Sequence, residues 1–421
     1  MQESSVLDLE NLCGVDPLVN TFCELISYDT KADPDSTTVP SSVGQLRFGA
    51  YLLSAINKLG LKGVQDNNGV VSVSIPASEG MENVKSLCLL AHMDTAPDKS
   101  GADIKPALVK NYDGSGIRLA NSLVIDESVS CALKEFKGQD IIVTDGNTLL
   151  GADDKAGIAI LLRLMHEICV DSNLKHGPLK IIFSVDEEIG KSTDHLSVSD
   201  IDCNYGVTVD GTKEGELDIA TFNAYGAIVN FKGRSVHTAV AYKTLHNALM
   251  IANEFINMLP ASQRPETTLG DEGFYHIHDL SGSTDSATLK MIIRDFTKEG
   301  MEQRLETVRS IISFLNNRYS KDTVDAKFTF QYANMADVLK DHEDYISLIK
   351  DAYKDAGVKV SLNKVRGGTD GSNLSNRGLP TPNIFTGGLN CHGPYECLVV
   401  SSFNKAYSVV RNLVTSMHKL S

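Results

Sequence analysis

Five residues of the types that bind divalent metal ions each come shortly after an apolar stretch of this sequence. They are His92, Asp153, Glu188, Asp210 and His392. Two imidazoles and three carboxylates suit a pair of borderline divalent ions, and zinc is the first choice among them. Any one of these positions is weak by itself, but five in the same context indicate a site. We therefore predict a centre of two Zn²⁺ ions per subunit, with Co²⁺ or Mn²⁺ as substitutes.

Asp153 is the natural candidate for a carboxylate that bridges the two ions. It lies in the stretch LLGADDKAG at 149–157, where a short apolar run stops at a glycine and a helical pattern follows two adjacent acids. Adjacent acids at a helix start also have a plain interpretation, because carboxylates cap free N–H groups and suit the helix dipole. The four other ligand candidates favour the metal interpretation.

Two further acidic residues have predicted roles beside the ligands. His92 and Asp94 lie two positions apart at the end of a predicted strand, so their side chains share one face. A metal-bound imidazole needs a nearby carboxylate to hold its orientation, and we predict that role for Asp94. Glu187 directly precedes Glu188 and is placed to accept a proton from the attacking water as general base.

The order of predicted elements brings these positions to one edge of a sheet. Strands and helices alternate up to residue 213, which is typical of a mostly parallel sheet with helices on both faces. Ligands bind such sheets outside the carboxyl ends of the strands. Residues 214–331 instead have the pattern of antiparallel strands with two helices. We therefore predict an α/β domain, 1–213 and 332–421, interrupted by a smaller α+β domain at 214–331.

Composition and charge exclude several classes of function. The formal net charge of −15 argues against nucleic acid or an anionic membrane as a partner. The sequence shows no apolar run long enough to cross a bilayer and no signal-peptide pattern at its start. Its eight cysteines are scattered, as in proteins of reducing compartments. We expect a cytoplasmic protein with no nucleic-acid or membrane partner.

The sequence resembles the M20 family of dizinc metallopeptidases, and within it the branch of tripeptide aminopeptidases. The resemblance runs nearly end to end, and its motifs in the insert are specific to that branch. The matching stretches are STTVPS at 36–41, HMDT at 92–95, LLGADDKAG at 149–157, DEE at 186–188, EGFYH at 272–276, IIRDF at 292–296, YANM at 332–335, RGGTDG at 366–371 and NIFTGGLNCHG at 383–393.

The resemblance implies how the ligands divide between the ions. It implies that His92, Asp153 and Asp210 hold one ion. It implies that Asp153 also bridges to the other ion, which Glu188 and His392 complete. The same resemblance implies that Asp94 orients His92 and that Glu187 is the general base.

The resemblance also implies three substrate-binding residues. His237 in the insert matches a lid histidine that contacts the substrate's oxyanion or carboxylate. Arg294 and Arg366 match positions that hold the C-terminal carboxylate of the peptide, where a bidentate guanidinium is suitable. Two positions depart from the family pattern: Thr238 stands where proline is usual, and Cys391 where an aromatic residue is common.

The expected function is the removal of the N-terminal residue from tripeptides, with small peptides as the partners of the protein. The exposed strand edges of the insert also indicate a homodimer through the lid domain. One alternative is another reaction of the family, such as that of a dipeptidase, carboxypeptidase or deacylase. A catalytically silent peptide-binding protein is a third interpretation, which the presence of Glu187 and of all five ligand candidates disfavours.

Overall fold

Two compact units make up the part of the chain that the computed structural model describes, which is residues 6–8 and 16–420. Unit 1 comprises the described residues up to 219 together with 337–363 and 369–420. Unit 2 comprises residues 220–336 and the short return 364–368. The predicted insert, 214–331, differs from unit 2 at both ends and lacks this return. A return of five residues has no pattern of its own in the sequence, because long-range contacts place it.

The strands of the described residues are, in chain order, β1 Val6–Asp8, β2 Gly63–Gln65, β3 Val71–Ile75, β4 Leu87–His92, β5 Ala107–Val109, β6 Ile117–Arg118, β7 Val124–Ile125, β8 Ile141–Val143, β9 Leu179–Ser184, β10 Tyr205–Gly211, β11 Glu216–Thr221, β12 Asn223–Lys232, β13 Phe274–Gly282, β14 Ser286–Asp295, β15 Val324–Tyr332, β16 Ser361–Val365, β17 Asn383–Phe385, β18 Gly388–Leu389 and β19 Cys397–Val399. The helices are α1 Pro17–Leu25, α2 Val43–Lys58, α3 Ala152–Val170, α4 Val198–Ile201, α5 Ala248–Met258, α6 Lys298–Arg318, α7 Ala336–Leu339, α8 Glu343–Asp355, α9 Asp370–Asn376 and α10 Val400–Ser416.

The main sheet of unit 1 has eight strands in the order β16-β11-β17-β10-β4-β9-β3-β2. The four central strands β17, β10, β4 and β9 run parallel, whereas β11 and β3 pair antiparallel at either side of them. Every residue of β4 is buried, as expected for a central strand that is covered on both faces. The predicted α/β fold class is confirmed.

A second, five-stranded sheet in unit 1 has the order β1-β5-β8-β19-β18. Its residues form a small apolar core of their own with residues of the long segment 110–140 between β5 and β8, including Tyr112, Leu119 and Phe136. The sequence of residues 96–140 is rich in loop signals, so this core was not predicted.

Helix α3 packs directly against the main sheet. A Cβ atom added to Gly157 would lie 2.0 Å from the backbone oxygen of Val209 in β10. Only glycine therefore allows α3 to approach that strand so closely. The sequence predicts a helix that follows the two adjacent acids. In the structure Asp153 and Asp154 have non-helical backbone angles, and a cis peptide bond joins them.

Unit 2 is an antiparallel sheet in the order β13-β14-β12-β15, with α5 and α6 packed on one face. Its core joins Phe231 and Leu289 of the sheet to Phe255 of α5 and Leu305 of α6. This arrangement agrees with the pattern expected for the insert. The homodimer through this unit stays a prediction. No helix of the described residues is both long and apolar enough to cross a membrane.

Candidate metal centre

Four adjacent strands of unit 1 bring four of the five predicted ligands to one edge of the main sheet, and Asp153 lies at the start of α3. His92 is the last residue of β4, and Asp210 is the penultimate residue of β10. Glu188 follows β9 after a tight turn, and His392 follows β17 and the short β18. Because these strands are parallel, their carboxyl ends meet at the same edge, which is where ligands bind in such sheets.

The first ligand group consists of His92, Asp153 and Asp210. The Nε2 atom of His92 lies 2.9 Å from Oδ1 of Asp153 and 3.3 Å from Oδ1 of Asp210. The ring of His92 is buried, with only 2% of its side chain exposed. One imidazole and two carboxylates therefore converge on a volume that a metal ion can fill.

The second ligand group consists of Asp153, Glu188 and His392. The Nε2 atom of His392 lies 3.1 Å from Oδ2 of Asp153 and 3.1 Å from Oε2 of Glu188. Asp153 thus offers one carboxylate oxygen to each group, as a bridging ligand must. The structure brings all five predicted ligands together in this way.

The chemistry of these donors fits divalent cations. Among the described residues, Oε1 of Glu188 is one of few buried polar atoms without a hydrogen-bond partner. A buried carboxylate oxygen without a donor is costly unless a cation satisfies it. Two imidazoles with three carboxylates match the ligand types of zinc, and the same set also accommodates Co²⁺ or Mn²⁺.

The crowding of carboxylates changes the proton affinity of the ligands. Burial, together with the charge of Asp153, raises the pKa of both Glu188 and Asp210 to about 7. Hydrogen bonds to Asp153 and Glu188 raise the pKa of His392 to about 11. Burial alone would lower the pKa of His92, but the carboxylates around it outweigh burial and raise it. Without a cation, the site therefore holds protons near neutral pH.

Asp94 contacts the centre on two sides. The Nδ1 atom of His92 lies 3.1 Å from the backbone oxygen of Asp94 and 3.4 Å from its Oδ1 atom. The carboxylate of Asp94 also accepts hydrogen bonds from the backbone N–H groups of Glu187 and Glu188, each at 3.0 Å. Sequence reasoning anticipated an orienting role toward His92, but it missed the contact that fixes the Glu187–Glu188 turn.

Glu187 begins a short 3-10 helix, Glu187–Ile189, and Asp186 before it has a left-handed backbone with φ of 58°. The Asp186 carboxylate accepts hydrogen bonds from the backbone of Ser41 at 2.8 Å and from Nε2 of Gln45 at 2.7 Å. These contacts hold the turn from the side opposite Asp94.

The Glu187 carboxylate has the environment of a proton acceptor. Burial raises its pKa, and the nearby Asp370 carboxylate raises it further. Within the described part of the chain, no hydrogen-bond donor contacts the Glu187 side chain. A carboxylate with a raised pKa and free oxygens suits general base chemistry, which needs a pKa near the working pH.

Glu396 is a buried residue of the centre that sequence reasoning missed. Its carboxylate accepts three backbone N–H groups of the loop that carries Asp153, and burial raises its pKa to about 7. Its position four residues after His392 is a signal only in retrospect, because a single glutamate at a strand start usually faces solvent.

The three predicted substrate-binding residues all lie in unit 2. His237 is exposed and caps a 3-10 turn, where its Nδ1 atom accepts the N–H of Ala239 at 3.2 Å. It belongs to neither ligand group. Its contact with substrate stays a prediction.

Arg294 and Arg366 border one aromatic cluster in unit 2. The guanidinium of Arg294 lies 5.4 Å from the ring centre of Tyr332, and that of Arg366 lies 5.2 Å and 5.6 Å from the rings of Phe222 and Phe274. Burial lowers the pKa of Arg294. The structure therefore brings the two arginines to the same side-chain cluster, as a shared carboxylate site requires.

Arg366 uses much of its hydrogen-bonding capacity within the chain. Its Nη1 atom donates to the backbone oxygens of Gly270 at 2.7 Å and Glu272 at 2.8 Å. Its Nη2 atom donates to Oγ1 of Thr268 at 2.9 Å. These bonds leave few guanidinium N–H groups for a substrate, so the predicted bidentate contact remains to be tested.

Comparison with known proteins places this site in a family. The profile of peptidase family M20/M25/M40 matches residues 132–416, which is more than half of the chain. The chain belongs to this peptidase family. It is 39% identical to a peptidase T from Clostridium perfringens over 93% of this chain and 97% of that protein. It is 41% identical to a peptidase T from Clostridium botulinum over 93% of this chain and 97% of that protein.

Solved structures show the same fold as this M20 peptidase. The crystal structure of the aminopeptidase PepT from Bacillus cereus superposes with a TM-score of 0.75 and 23% identity, covering 95% of this chain and 98% of that one. A dinuclear metal-binding peptidase of the family from Bacillus subtilis superposes with a TM-score of 0.64 and 13% identity, covering 96% and 98% of the two chains. The predicted family is confirmed, and the chain is a metal-dependent peptidase.

Zinc binding to the metal-free M20 peptidase should release protons near pH 7. At that pH His392, with a pKa of about 11, is protonated, and Glu188 and Asp210, with pKa values of about 7, are partly protonated, whereas only the deprotonated forms bind a cation. The apparent affinity should rise with pH, by about tenfold per pH unit for each proton released. Titration calorimetry in two buffers of different ionisation enthalpy measures the released protons, and equal heats in both buffers would contradict this expectation.

Proposed function

We propose that this M20 peptidase is an aminopeptidase that removes the N-terminal residue from tripeptides, with two zinc ions and with Glu187 as general base. The observation that carries the proposal is the pair of ligand groups that share Asp153, one carboxylate oxygen to each group. The peptidase T relatives support the aminopeptidase activity, and the motifs of the tripeptidase branch in the sequence support the tripeptide substrate.

The residues of the two groups divide the work of holding the cations. His92 and Asp210 would hold one ion, Glu188 and His392 would hold the other, and Asp153 would contribute to both. Bound divalent cations lower the pKa of a coordinated water and polarise a carbonyl oxygen.

Glu187 moves the protons of the reaction. Its carboxylate accepts a proton from the attacking water as the water oxygen bonds to the scissile carbonyl carbon. It then donates that proton to the leaving amine nitrogen as the C–N bond breaks, so that one carboxylate serves as base and then as acid. Its backbone contact with Asp94 at 3.0 Å supports this role, because it fixes the start of the turn that carries the carboxylate.

One alternative activity remains. A different M20 reaction, on dipeptides, on C-terminal residues or on acylated amines, would use the same cations and the same base. A panel of substrates separates these activities.

Exchanging the two neighbouring glutamates for glutamine should have different effects. Glu187→Gln should keep both metal ions and lose about 10²–10⁴-fold in kcat, because an amide accepts no proton. Glu188→Gln should instead lose metal, because Glu188 lies in the second ligand group. Metal analysis and kcat of both variants provide the measurement, and equal metal contents would show that the roles are assigned wrongly.

Removal of the metal ions with a chelator should abolish peptidase activity, and addition of zinc, cobalt or manganese should restore it.

Tripeptides with a free amine should be better substrates than dipeptides or tetrapeptides, by about 10²-fold in kcat/KM. The reason is a fixed span between a site for the substrate's ammonium group and a site for its carboxylate. A substrate of the wrong length leaves one buried charge unpaired, which is costly. The panel should also include an N-acetylated tripeptide and a tripeptide amide. A kcat/KM for tetrapeptides similar to that for tripeptides would contradict the proposal of a fixed span.

The variant Arg366→Lys tests whether Arg366 contributes to that span. Lysine keeps the charge but loses the bidentate geometry. If Arg366 binds the substrate carboxylate, the preference for the free tripeptide over its amide should fall in the variant. If its bonds to residues 268–272 are its whole role, thermal stability should fall while that preference stays unchanged.

His237→Ala should lose about 10²–10³-fold in kcat with every good substrate, as expected for a donor to the developing oxyanion. Thr238→Ala is the matched control, since it changes an exposed neighbour in the same 3-10 turn. Metal content and thermal stability should stay at the level of the unchanged protein. A loss confined to KM would assign His237 to the carboxylate, and unchanged kinetics would make it an ordinary loop residue.

A further inference from the structure

The buried carboxylate of Glu396 holds the loop that carries Asp153 through hydrogen bonds to its backbone. Oε2 of Glu396 accepts the backbone N–H groups of Leu150 at 2.7 Å and Gly151 at 2.9 Å. Oε1 of Glu396 accepts the N–H group of Asp153 at 3.1 Å. The residue is 1% exposed, so these bonds do not compete with solvent.

The backbone of this loop is shaped to bind an anion. Gly151 has a left-handed conformation with φ of 78°, which lets N–H groups close together in the chain point toward the same place. Successive N–H groups arranged in this way form a concave site for a carboxylate. Over the residues that the structure describes, no lysine or arginine side chain donates a hydrogen bond to Glu396, so backbone N–H groups satisfy its two oxygens.

The segment 392–396, which contains Glu396, also supplies the predicted metal ligand His392. His392 lies four residues before Glu396, and its Nε2 atom is 3.1 Å from Oδ2 of Asp153. The intervening turn is closed by the N–H of Glu396, which donates to the backbone oxygen of Gly393 at 3.2 Å, and by Nδ2 of Asn390, which donates to the backbone oxygen of Tyr395 at 3.2 Å. Residues 392–396 therefore contact Asp153 at its side chain and at its backbone.

We propose that Glu396 is a positioning residue, which holds Asp153 where its two carboxylate oxygens can serve both ion sites at once. The inference rests on the proposed dinuclear centre. A bridging carboxylate must satisfy two cations simultaneously, so it tolerates less displacement than a ligand that binds one cation. Outer contacts that orient metal ligands are typically worth about 10- to 100-fold in metal affinity.

The substitution Glu396→Gln tests this role. The amide oxygen can accept the N–H groups of Leu150 and Gly151, but the amide NH₂ group then faces the N–H of Asp153, and the third bond is lost. We expect both zinc ions to bind about 10- to 100-fold more weakly. Zinc titration calorimetry on the metal-free full chain, without peptide, provides the readout.

Two further variants show which result is specific. Glu188→Gln should weaken one zinc-binding step and leave the other, because Glu188 belongs to one ligand group. Glu167→Gln makes the same chemical change in unit 1, where Glu167 bonds to Arg411 of α10 at 2.8 Å and not to the metal loop. It should lower the melting temperature while both zinc steps keep their affinity.

The outcomes are decisive for Glu396. If Glu396→Gln binds two zinc ions with unchanged affinity and only melts earlier, Glu396 is structural and the proposal is overturned. Glu396→Asp keeps the charge but is one methylene shorter, and it should give intermediate affinities for both ions. If neither variant has the circular dichroism spectrum of the unchanged protein, Glu396 is needed for folding itself, which also overturns the proposal.

Failure of the proposed function looks different from failure of this inference. If the unchanged chain binds two zinc ions but cleaves no tripeptide, the substrate assignment fails and the effect of Glu396 on both ions can still be measured. If the unchanged chain binds fewer than two ions, the dinuclear centre itself fails.

Discussion

Crowded negative charge at one edge of a sheet is the constraint on which the rest of this structure depends. Eight carboxylates lie at or next to the centre. Four are buried, Asp94, Asp154, Asp370 and Glu396, and four are half-buried, Asp153, Glu187, Glu188 and Asp210. Burying a carboxylate without a partner is costly, and burying several together adds mutual repulsion. The raised pKa values of Glu188 and Asp210 express that cost. Divalent cations relieve it, so the metal ions belong to the stability of the centre as well as to its chemistry.

The chain separates carboxylates that hold loops from carboxylates that remain for cations. Asp94, Asp186 and Glu396 each accept backbone N–H groups and thereby fix the segments that carry the ligands and the base. The nearby Lys155 is buried, and burial lowers its pKa to about 7. Lys155 is therefore only partly charged at neutral pH. Backbone N–H groups thus stabilise the carboxylates of Asp94, Asp186 and Glu396, and the oxygens of the candidate ligands stay available for cations.

Unit 2 is organised by packing instead of by charge. Its two helices cover one face of an antiparallel sheet, and a separate cluster of Phe222, Phe274 and Phe296 borders both predicted substrate arginines. Aromatic faces stabilise guanidinium groups and fix their planes. The loop 268–272 depends on Arg366, since the guanidinium bonds to its backbone oxygens. Arg366 therefore contributes to the structure of this unit whatever it contributes to binding.

The sequence by itself allowed us to predict the candidate metal ligands and the strands that precede them. It also showed the change from a parallel to an antiparallel strand pattern at the insert. Those features are local: an apolar run such as 87–91 marks a buried strand, and the residue that follows it lies at the carboxyl edge of a parallel sheet. His92, Asp210, Glu188 and His392 could be predicted for that reason. The bridging role of Asp153 was also predicted from the sequence, and the structure added that each of its oxygens faces a different group. The tertiary structure alone decided that Glu396 holds the loop of Asp153 and that residues 364–368 return to unit 2. Glu396 and Leu150 are 246 residues apart in the chain. Contacts over such a separation leave no periodicity or spacing to read, because they arise only when the sheet brings distant segments together.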